Sequence, residues 1–322
     1  MNLSDQNRGS KKVSSHPLTV YLKRNSSIES VHRVHAVVCD SKGRVLMRAG
    51  NEEYQTFIRS ALKPFQILPF ISSGTAERID SGERGLAICC GSHAGSANHA
   101  REVFRLLWNS DIDVNTLQCP IPINRESPLE HNCSGKHAAF LATCKKLCWP
   151  LNTYLQGEHP LQIEITRRVA DLLSTSSEKL IAARDDCGAP TLFLQLNQMA
   201  LLYANLSSSK QAELEQVSRA MLAHPELVAG KGRFDTELME RGHKQIISKG
   251  GAEGIQCIAR KGKGIGMAIK VEDGSKRAKH AVALHLLRQL EWVTPIGIEE
   301  LEEQVLLIGP GLQLEVEGEL RF

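Results

Sequence analysis

The spacing of apolar residues changes twice along this chain of 322 residues. Towards the N-terminal end, residues 18–22, 34–39 and 44–49 form short apolar or alternating runs, which predict strands. The segment Asp-Ser-Lys-Gly at positions 40–43 separates the last two runs and is typical of a hairpin turn. The first part of the chain is therefore predicted to be β structure.

Helical spacing dominates the middle of the chain. Apolar residues recur at intervals of three and four, which places them on one face of a helix. A short apolar run at 85–90 is too brief to assign by periodicity. The helices predicted in this part span residues 99–108, 136–147, 161–173, 197–206 and 212–222.

Alternation returns after residue 244. Residues 245–249, 254–260 and 265–271 are separated by glycine-rich turns, as in a β meander, and 278–292 predicts a closing helix. Strands at both ends with helices between them predict one α+β domain with a shared antiparallel sheet and a helical subdomain. The polar residues 1–16 are expected to be a disordered leader, which leaves 17–322 as a single domain.

Composition limits the kinds of partner. A hydrophobic content of 42% with 23% charged residues is typical of a soluble globular protein. A net charge of +3 and an aromatic content of 5% give no reason to expect nucleic acid or an anionic membrane as partner. Nine cysteines without a small-scaffold spacing indicate reduced thiols and a cytoplasmic location.

One segment has the residues of an activated nucleophile. Ser60 is followed three residues later by Lys63, so a helix would place the amine beside the hydroxyl. Pro64 is tolerated in the first turn of a helix, which places Ser60 near the N-terminus, where backbone N–H groups favour a developing oxyanion. The alternative is an ordinary N-cap serine.

Two further polar segments extend this pattern. An isolated Ser92, and Lys249 on a strand near the C-terminal end, follow in the order seen in serine β-lactamases and penicillin-binding proteins, which the arrangement resembles. Ser92 lacks the usual Ser-x-Asn partner, and Gly250 stands where that strand carries a hydroxyl. These departures argue against a transpeptidase but leave acyl transfer by a Ser-Lys pair.

The sequence also contains residues that could bind a metal ion. Cys133 and His137 are four residues apart, with Lys136 between them and His131 nearby, and Cys187 in a distant turn supplies a second thiol. Such donors suit a tetrahedral zinc site. The alternative is a set of buried free thiols beside a helix cap.

The chain resembles the asparaginase II family of L-asparaginases, the class 3, zinc-binding type. The resemblance covers roughly residues 32–274, and the Asn-Cys-Ser-Gly-Lys-His hexapeptide at 132–137 is its most specific part. Where members often have an acidic residue, this chain has Ser96. The segments that recur in family order are 59–64, 92–93, 132–137, 186–190, 224–236 and 249–254.

The resemblance implies a serine β-lactamase-like fold, a homodimer and an amidohydrolase that converts L-asparagine to L-aspartate and ammonia. It also implies two Ser-Lys tandems, a bound zinc ion and a set of residues that support the substrate pocket. His93, beside one serine, is a candidate for that set, and packing roles for His93 and His137 stay open. The implied residues are Ser60 with Lys63 and Ser92 with Lys249 for catalysis, Cys133, Lys136 and Cys187 for zinc, and Arg59, His137 and Asp185 for the pocket.

Three alternatives to an asparaginase remain at this point. A glutaminase differs by one methylene in the substrate, which a pocket discriminates by only about 1–3 kcal/mol. A Ser-Lys amidase or β-lactamase-like hydrolase would use another acyl donor. A zinc-stabilised binding protein would bind asparagine without releasing ammonia.

Overall fold

The structure, a computed structural model, describes residues 15–306 and 309–322. The predicted leader lies almost wholly outside these residues. The strands are β1 Leu18–Arg24, β2 Ser27–Asp40, β3 Val45–Ala49, β4 Gln55–Phe57, β5 Ile181–Arg184, β6 Pro190–Gln195, β7 Ile246–Gly250, β8 Ile255–Arg260, β9 Ile265–Val271 and β10 Leu312–Glu317.

The described helices lie mainly between the two groups of strands that form the large sheet. The α-helices are α1 Lys63–Gln66, α2 Leu68–Ser72, α3 Thr75–Arg78, α4 Gly82–Cys89, α5 Ala97–Asn109, α6 Ser134–Lys146, α7 Pro160–Leu172, α8 Leu196–Ser207, α9 Ala212–Ala223, α10 Pro225–Val228, α11 Phe234–Arg241, α12 Lys276–Gln289 and α13 Pro295–Val305. Short 3₁₀ segments span Arg59–Leu62, Val114–Thr116, Pro128–Glu130 and Ser177–Lys179. None of these helices is long and apolar enough to cross a membrane.

The large sheet joins both ends of the chain. Its order is β10-β1-β2-β9-β8-β7, with β3 paired to β2, and every pairing is antiparallel. Strand β1 therefore lies between the C-terminal strand and β2, while the meander β7–β9 completes the other side. The predicted α+β architecture, with terminal strands in one antiparallel sheet and a helical subdomain, is confirmed.

Both faces of this sheet are buried along the second half of β2 and along β7–β9, whereas the outer strand β10 is partly exposed. Along β2, Val37 and Cys39 belong to the larger apolar core on the side of the helical subdomain, whereas Ala36 and Val38 belong to the core beneath α12 and α13. Successive strand residues point to opposite faces, so a strand covered on both sides is apolar without interruption. This explains the continuous apolar run that predicted the strand.

Helix α8 approaches the sheet very closely at Gly266. A Cβ atom at this position of β9 would lie 2.3 Å from the carbonyl oxygen of Ala200 and 2.4 Å from the backbone nitrogen of Ala204. Both atoms are helix backbone and cannot rotate away. Glycine at 266 therefore sets the distance between α8 and the sheet.

The segment that carries Ser60 is divided where a single helix was expected. A 3₁₀ turn over Arg59–Leu62 leads into α1, and α2 begins one residue after Ile67. Both short helices carry a proline in their first turn, because a residue without an N–H is tolerated only there. Ser60 lies inside the 3₁₀ turn.

Three other features were not predicted. A second sheet of order β4-β6-β5 lies outside the large one, and the unassigned run at 85–90 falls in helix α4. Helix α13 and strand β10 were not predicted either, although the sequence of β10 alternates strictly. The three strands of the second sheet are short and leave little periodicity to detect.

Candidate active site

The hydroxyl of Ser92 lies between two lysine side chains from distant parts of the sequence. Lys63 Nζ is 3.0 Å and Lys249 Nζ is 2.9 Å from Ser92 Oγ. Ser92 follows α4, and its own N–H donates to the carbonyl of Val228 at 2.8 Å. A Cβ at Gly91 would meet carbonyl oxygens at 2.8 and 2.9 Å, so only glycine fits the preceding position. The backbone thus fixes a hydroxyl that accepts from two amines.

Lys63 has an oxygen for each of its three donors. Its amine donates to the carbonyl oxygens of Gly91 and Asn132 as well as to Ser92 Oγ. The residue is only 1% exposed. Burial of a cation is costly unless its donors are satisfied, and here the neighbouring loops satisfy all three.

Lys249 is buried near the end of strand β7. It is 0% exposed and donates to Ser92 Oγ and, at 2.7 Å, to the carbonyl of Gly250. Burial lowers its pKa to about 7; Lys63 and Lys279 act in the same direction, and Asp235 opposes them. Near neutral pH this amine exists in both protonation states, as a group that exchanges protons must.

Asp235 is the buried carboxylate beside Lys249. It accepts hydrogen bonds from the Ser248 hydroxyl at 2.7 Å, the Gly250 N–H at 2.9 Å and the Gln256 amide at 2.8 Å. Burial by itself would raise its pKa, but Lys249 and these donors outweigh burial and hold the pKa below its usual range. The carboxylate therefore stays charged, and its hydrogen bonds to Ser248 and Gly250 fix the position of the last residues of β7.

The backbone just before Ser60 is strained. Arg59 has φ of 54°, which non-glycine residues rarely adopt and which costs on the order of 1–3 kcal/mol. Its N–H donates to Thr191 Oγ1 at 3.0 Å, and its guanidinium donates to Asp185 at 2.7 Å and Asp186 at 2.6 Å. These contacts fix the direction in which the next side chain leaves the backbone.

Ser60 faces the same cavity as Ser92. Among the described residues its hydroxyl has no hydrogen bond to Lys63, although the two are three residues apart; that amine is turned towards Ser92. The cavity has a volume of about 530 Å³. Its wall consists of Ser60, Ser92, Asn132, Ala229, Gly232, Arg233, Phe234, Asp235, Lys249, Gly250, Gly251, Ala252, Glu253, Gln256, Gly274, Lys276, Lys279, His280 and Gln304.

The three predicted zinc ligands lie together at the start of α6. Lys136 Nζ is 3.3 Å from Cys187 Sγ, and the Cys133 thiol donates to Asn132 Oδ1 at 3.1 Å. Its neighbours Cys133 and Lys136 lower the pKa of Cys187, and the pKa of Cys133 is raised by Cys187 and by burial. The lowered pKa of Cys187 favours its thiolate, the form that binds metal.

The chemistry of this cluster fits a zinc ion if the lysine takes part. Within residues 15–306 and 309–322, no group of three His, Cys, Asp or Glu side chains is arranged to hold a metal. Two thiols and a neutral amine nevertheless supply three donors that suit zinc. His137 is buried beside Cys187, which raises its pKa against the effect of burial. The donor set therefore fits zinc when Lys136 is neutral.

The two histidines predicted at the pocket are buried behind it. His93 Nε2 lies 3.0 Å from the Ser134 hydroxyl, and His137 Nδ1 lies 2.7 Å from the Tyr154 hydroxyl. Burial lowers the pKa of both, to about 4 for His137. Like the Arg59–Asp185 ion pair, they lie outside the described cavity wall.

Several residues of this cavity received no role from the sequence. Asp235 and Asn132 stand within segments of the family resemblance, which was a usable signal. Gln256 and Lys279 stand in an apolar strand and an amphipathic helix, where a single polar residue is unremarkable. They are recognised only when the sheet and α12 bring them to Lys249.

Comparison with solved structures finds distant matches. A protein named Mglu in its native form is 13% identical, with a TM-score of 0.49 over 80% of this chain and 65% of that one. A Bacillus glutaminase is 12% identical (TM-score 0.42, 81% and 91%), and a β-lactamase from Mycobacterium bovis is 11% identical (TM-score 0.37, 81% and 95%). The chain thus spans just under two thirds of the Mglu structure. No curated protein matches it significantly.

The sequence match to a family is far more extensive. The family model of L-asparaginase II matches residues 20–322, nearly all of the described chain. The match includes both serines and both lysines of the cavity as well as the thiol cluster. The chain belongs to the L-asparaginase II family.

Proposed function

We propose that this protein is an amidohydrolase that converts L-asparagine to L-aspartate and ammonia through a serine ester. The proposal rests on one observation: the amines of Lys63 and Lys249 both donate to the Ser92 hydroxyl, and Ser60 lines the same cavity. Membership of the L-asparaginase II family supports amide hydrolysis as the reaction.

Ser60 is the nucleophile in this proposal. Its oxygen attacks the carbonyl carbon of the side-chain amide and forms a tetrahedral intermediate. The C–N bond then breaks, ammonia leaves, and an aspartyl ester of Ser60 remains. Water hydrolyses that ester to aspartate and restores the hydroxyl. The fixed backbone at Arg59 directs the side chain into the cavity without a competing hydrogen bond.

Ser92 passes protons between the lysines and the substrate. A hydroxyl has two acceptor lone pairs and one donor. When Lys249 is protonated, both lone pairs of Ser92 accept from Lys63 and Lys249, so its own O–H points to a third group in the cavity. That group is the departing nitrogen, which needs a proton to leave as ammonia.

The base is the linked pair of lysines rather than Lys63 alone. The amine of Lys63 has all its donors engaged, whereas the pKa of Lys249 is near 7. With Lys249 neutral, the Ser92 hydroxyl gives its proton to Lys249 and takes one from Lys63, and Lys63 takes the proton of Ser60 in its place. The proton is held at Lys249 until Ser92 passes it to the leaving nitrogen. The positive charge of Lys63 stabilises the oxyanion beside it.

A zinc ion would be held by Cys133, Lys136 and Cys187. When bound it would supply a Lewis acid that polarises a substrate oxygen and orients it. The chain's own contribution is to keep Cys187 as a thiolate and to place Asn132, the residue before the first ligand, in the cavity wall. The expected homodimer and cytoplasmic location remain predictions.

The test is ammonia release by the purified protein with L-asparagine and L-glutamine, and the colour change on ring opening with nitrocefin, with zinc quantified on the same sample. Asparagine turnover with about one zinc per chain supports the proposal. The Ser60→Ala protein, purified identically, controls for contaminating host amidases. Turnover of glutamine alone would make the protein a glutaminase. Turnover of nitrocefin alone would make it a β-lactamase-like hydrolase that uses another acyl donor.

A further inference from the structure

A second cavity, of about 510 Å³, opens at the start of β7, the strand that carries Lys249 near its other end. The ends of α11 and β8 and the turn between α12 and α13 surround this cavity. Its lining shares no described residue with the wall of the active-site cavity. It is named the arginine cavity here, because its lining includes Arg241, Arg260 and Arg288 together with His243, Gln245 and Trp292.

The guanidinium of Arg260 has no partner. Arg260 is the last residue of β8, and within residues 15–306 and 309–322 its partly buried side chain makes no hydrogen bond and no ion pair. Ile258, two residues earlier, packs into the core beneath α12 and α13, so Arg260 points to the same side of the sheet. A charge that is partly removed from water without a partner is costly. This cation is therefore available to an anion from outside the chain.

The other two arginines of the arginine cavity are fixed by glutamates that lie outside its lining. Arg241 Nη1 is 2.9 Å from Glu237 Oε2, and its Nε is 3.3 Å from Glu300 Oε2. Arg288 Nη2 is 3.1 Å from both carboxylate oxygens of Glu302. A guanidinium has five N–H donors, and these contacts leave several of them without an acceptor in the described chain. The ion pairs thus hold both side chains in place and leave donors for a ligand.

Their position in the fold gives two of these cations a structural reason that the third lacks. Arg241 and Arg288 stand in the last turns of α11 and α12, where a cation is favourable by itself. Arg260 ends a strand, and strands have almost no dipole. Its unpaired charge therefore points to a ligand and not to a helix end.

The remaining side chains of the arginine cavity also offer mainly donors. The side chains of His243, Gln245 and Trp292 make no hydrogen bond within the described part of the chain, and Glu291 is the one carboxylate among the described lining residues. Trp292 packs against the core and adds apolar surface. A phosphate or carboxylate only accepts, so it suits such a lining better than a neutral or cationic group does.

We propose that the arginine cavity is a second ligand site, which binds a small organic anion. Arg260 pairs with the phosphate or carboxylate of that ligand, because the guanidinium fork matches two oxygens of either group. The apolar part of the ligand lies against Trp292. The inference does not depend on the proposed amide hydrolysis.

The first test is calorimetric titration of the wild-type protein in a buffer without phosphate or carboxylate. The probes are adenosine 5′-monophosphate and benzoate, which carry a phosphate and a carboxylate on a planar body, and adenosine, which has no charge. Either anion should bind on the order of 10- to 100-fold more tightly than adenosine, as the loss of a hydrogen bond to a charged group predicts. The tighter anion identifies the group that the site prefers. Absence of binding for both anions at about 1 mM, or adenosine within about two-fold of the monophosphate, would overturn the site.

The second test removes the unpaired cation. Arg260→Gln should weaken binding of the tighter anion on the order of 10- to 100-fold. Arg101→Gln is the matched control, because Arg101 is an exposed arginine of α5 with no ion pair in the described chain, and its affinity should stay within about two-fold. Equal losses in the two variants would mean a general charge effect and overturn the assignment. Arg288→Gln, on a different element, should also weaken binding and replaces Arg260→Gln if that variant does not fold.

The Ser60→Ala protein separates this site from the active site. The anion should bind to Ser60→Ala with the wild-type affinity, since Ser60 lines the other cavity. Loss of binding in Ser60→Ala, or competition between the anion and L-asparagine for one site, would place the ligand in the active-site cavity and overturn the inference. Anion binding by a protein that releases no ammonia would support this site and reject only the proposed activity.

Discussion

Lys249 Nζ lies 2.9 Å from Ser92 Oγ, although 157 positions separate the two residues in sequence. The contact joins a loop of the helical subdomain to the end of a strand in the large sheet. Hydrogen bonds fix the backbone on both sides of this contact. The Ser92 N–H donates to the carbonyl of Val228, and the N–H of Gly250, the residue after Lys249, donates to Asp235. Catalysis in the proposed mechanism depends on this contact between the two parts of the fold.

The pH dependence of kcat should follow the protonation of Lys249. The proposed base is its neutral form and its pKa is about 7, so kcat at saturating asparagine should rise as the pH increases through about 7. Asp235 raises the pKa of Lys249, so Asp235→Asn should move this rise to lower pH.

Glu253→Gln is the control for that shift. It also removes a carboxylate from the cavity wall but leaves Asp235 in place. Its midpoint should stay where the wild-type midpoint is. A midpoint that Asp235→Asn leaves unmoved would remove Lys249 from the role of base.

Zinc binding should depend on Cys187. Cys187→Ser removes the thiolate, and the zinc content of the purified protein should fall from about one per chain to nearly none. Cys148→Ser is the matched control, since Cys148 is an exposed free thiol outside the cluster. Elemental analysis of both proteins gives the answer, and equal zinc contents would reject the assigned ligands.

The close packing at Gly266 should be visible in stability. Gly266→Ala forces a methyl group against the backbone of α8, and overpacking of this kind typically costs about 1–3 kcal/mol in the free energy of unfolding. Gly157→Ala, where the added Cβ meets no atom within 4 Å, should change little. Urea denaturation of the two variants measures both effects. Equal midpoints would mean that α8 moves without strain.

The sequence predicted the parts of the fold that have a strong period. The meander at 245–271 and the amphipathic helices α5 and α7 were expected within a few residues of their bounds. Glycine-rich turns separate the strands of the meander, and one buried face gives each of these helices a regular spacing. The short strands β4, β5 and β6 could not be predicted in this way. They are stabilised by contacts with each other, and such contacts leave no period in a run of three to six residues.

The candidate site was predictable in its residues but not in its connections. The serines, the lysines and the thiol cluster stand out as short polar segments in the sequence. The structure places Ser60, Ser92 and Lys249 in one cavity wall and Lys136 beside Cys187. The spacing of Ser60 and Lys63 predicts a bond between them, yet Lys63 reaches Ser92 instead. Its partners come from two other loops, and no local rule places those loops.

The most direct test of the proposed mechanism is intact-protein mass spectrometry of samples quenched in acid during asparagine turnover. The wild-type protein should carry one aspartyl group, and peptide mapping should place it on Ser60. Ser92→Ala should form the same ester slowly, since Ser60 and both lysines remain, whereas Ser60→Ala should form none. An aspartyl group on Ser92, or undiminished ammonia release by Ser60→Ala, would contradict the account and make Ser92 the nucleophile.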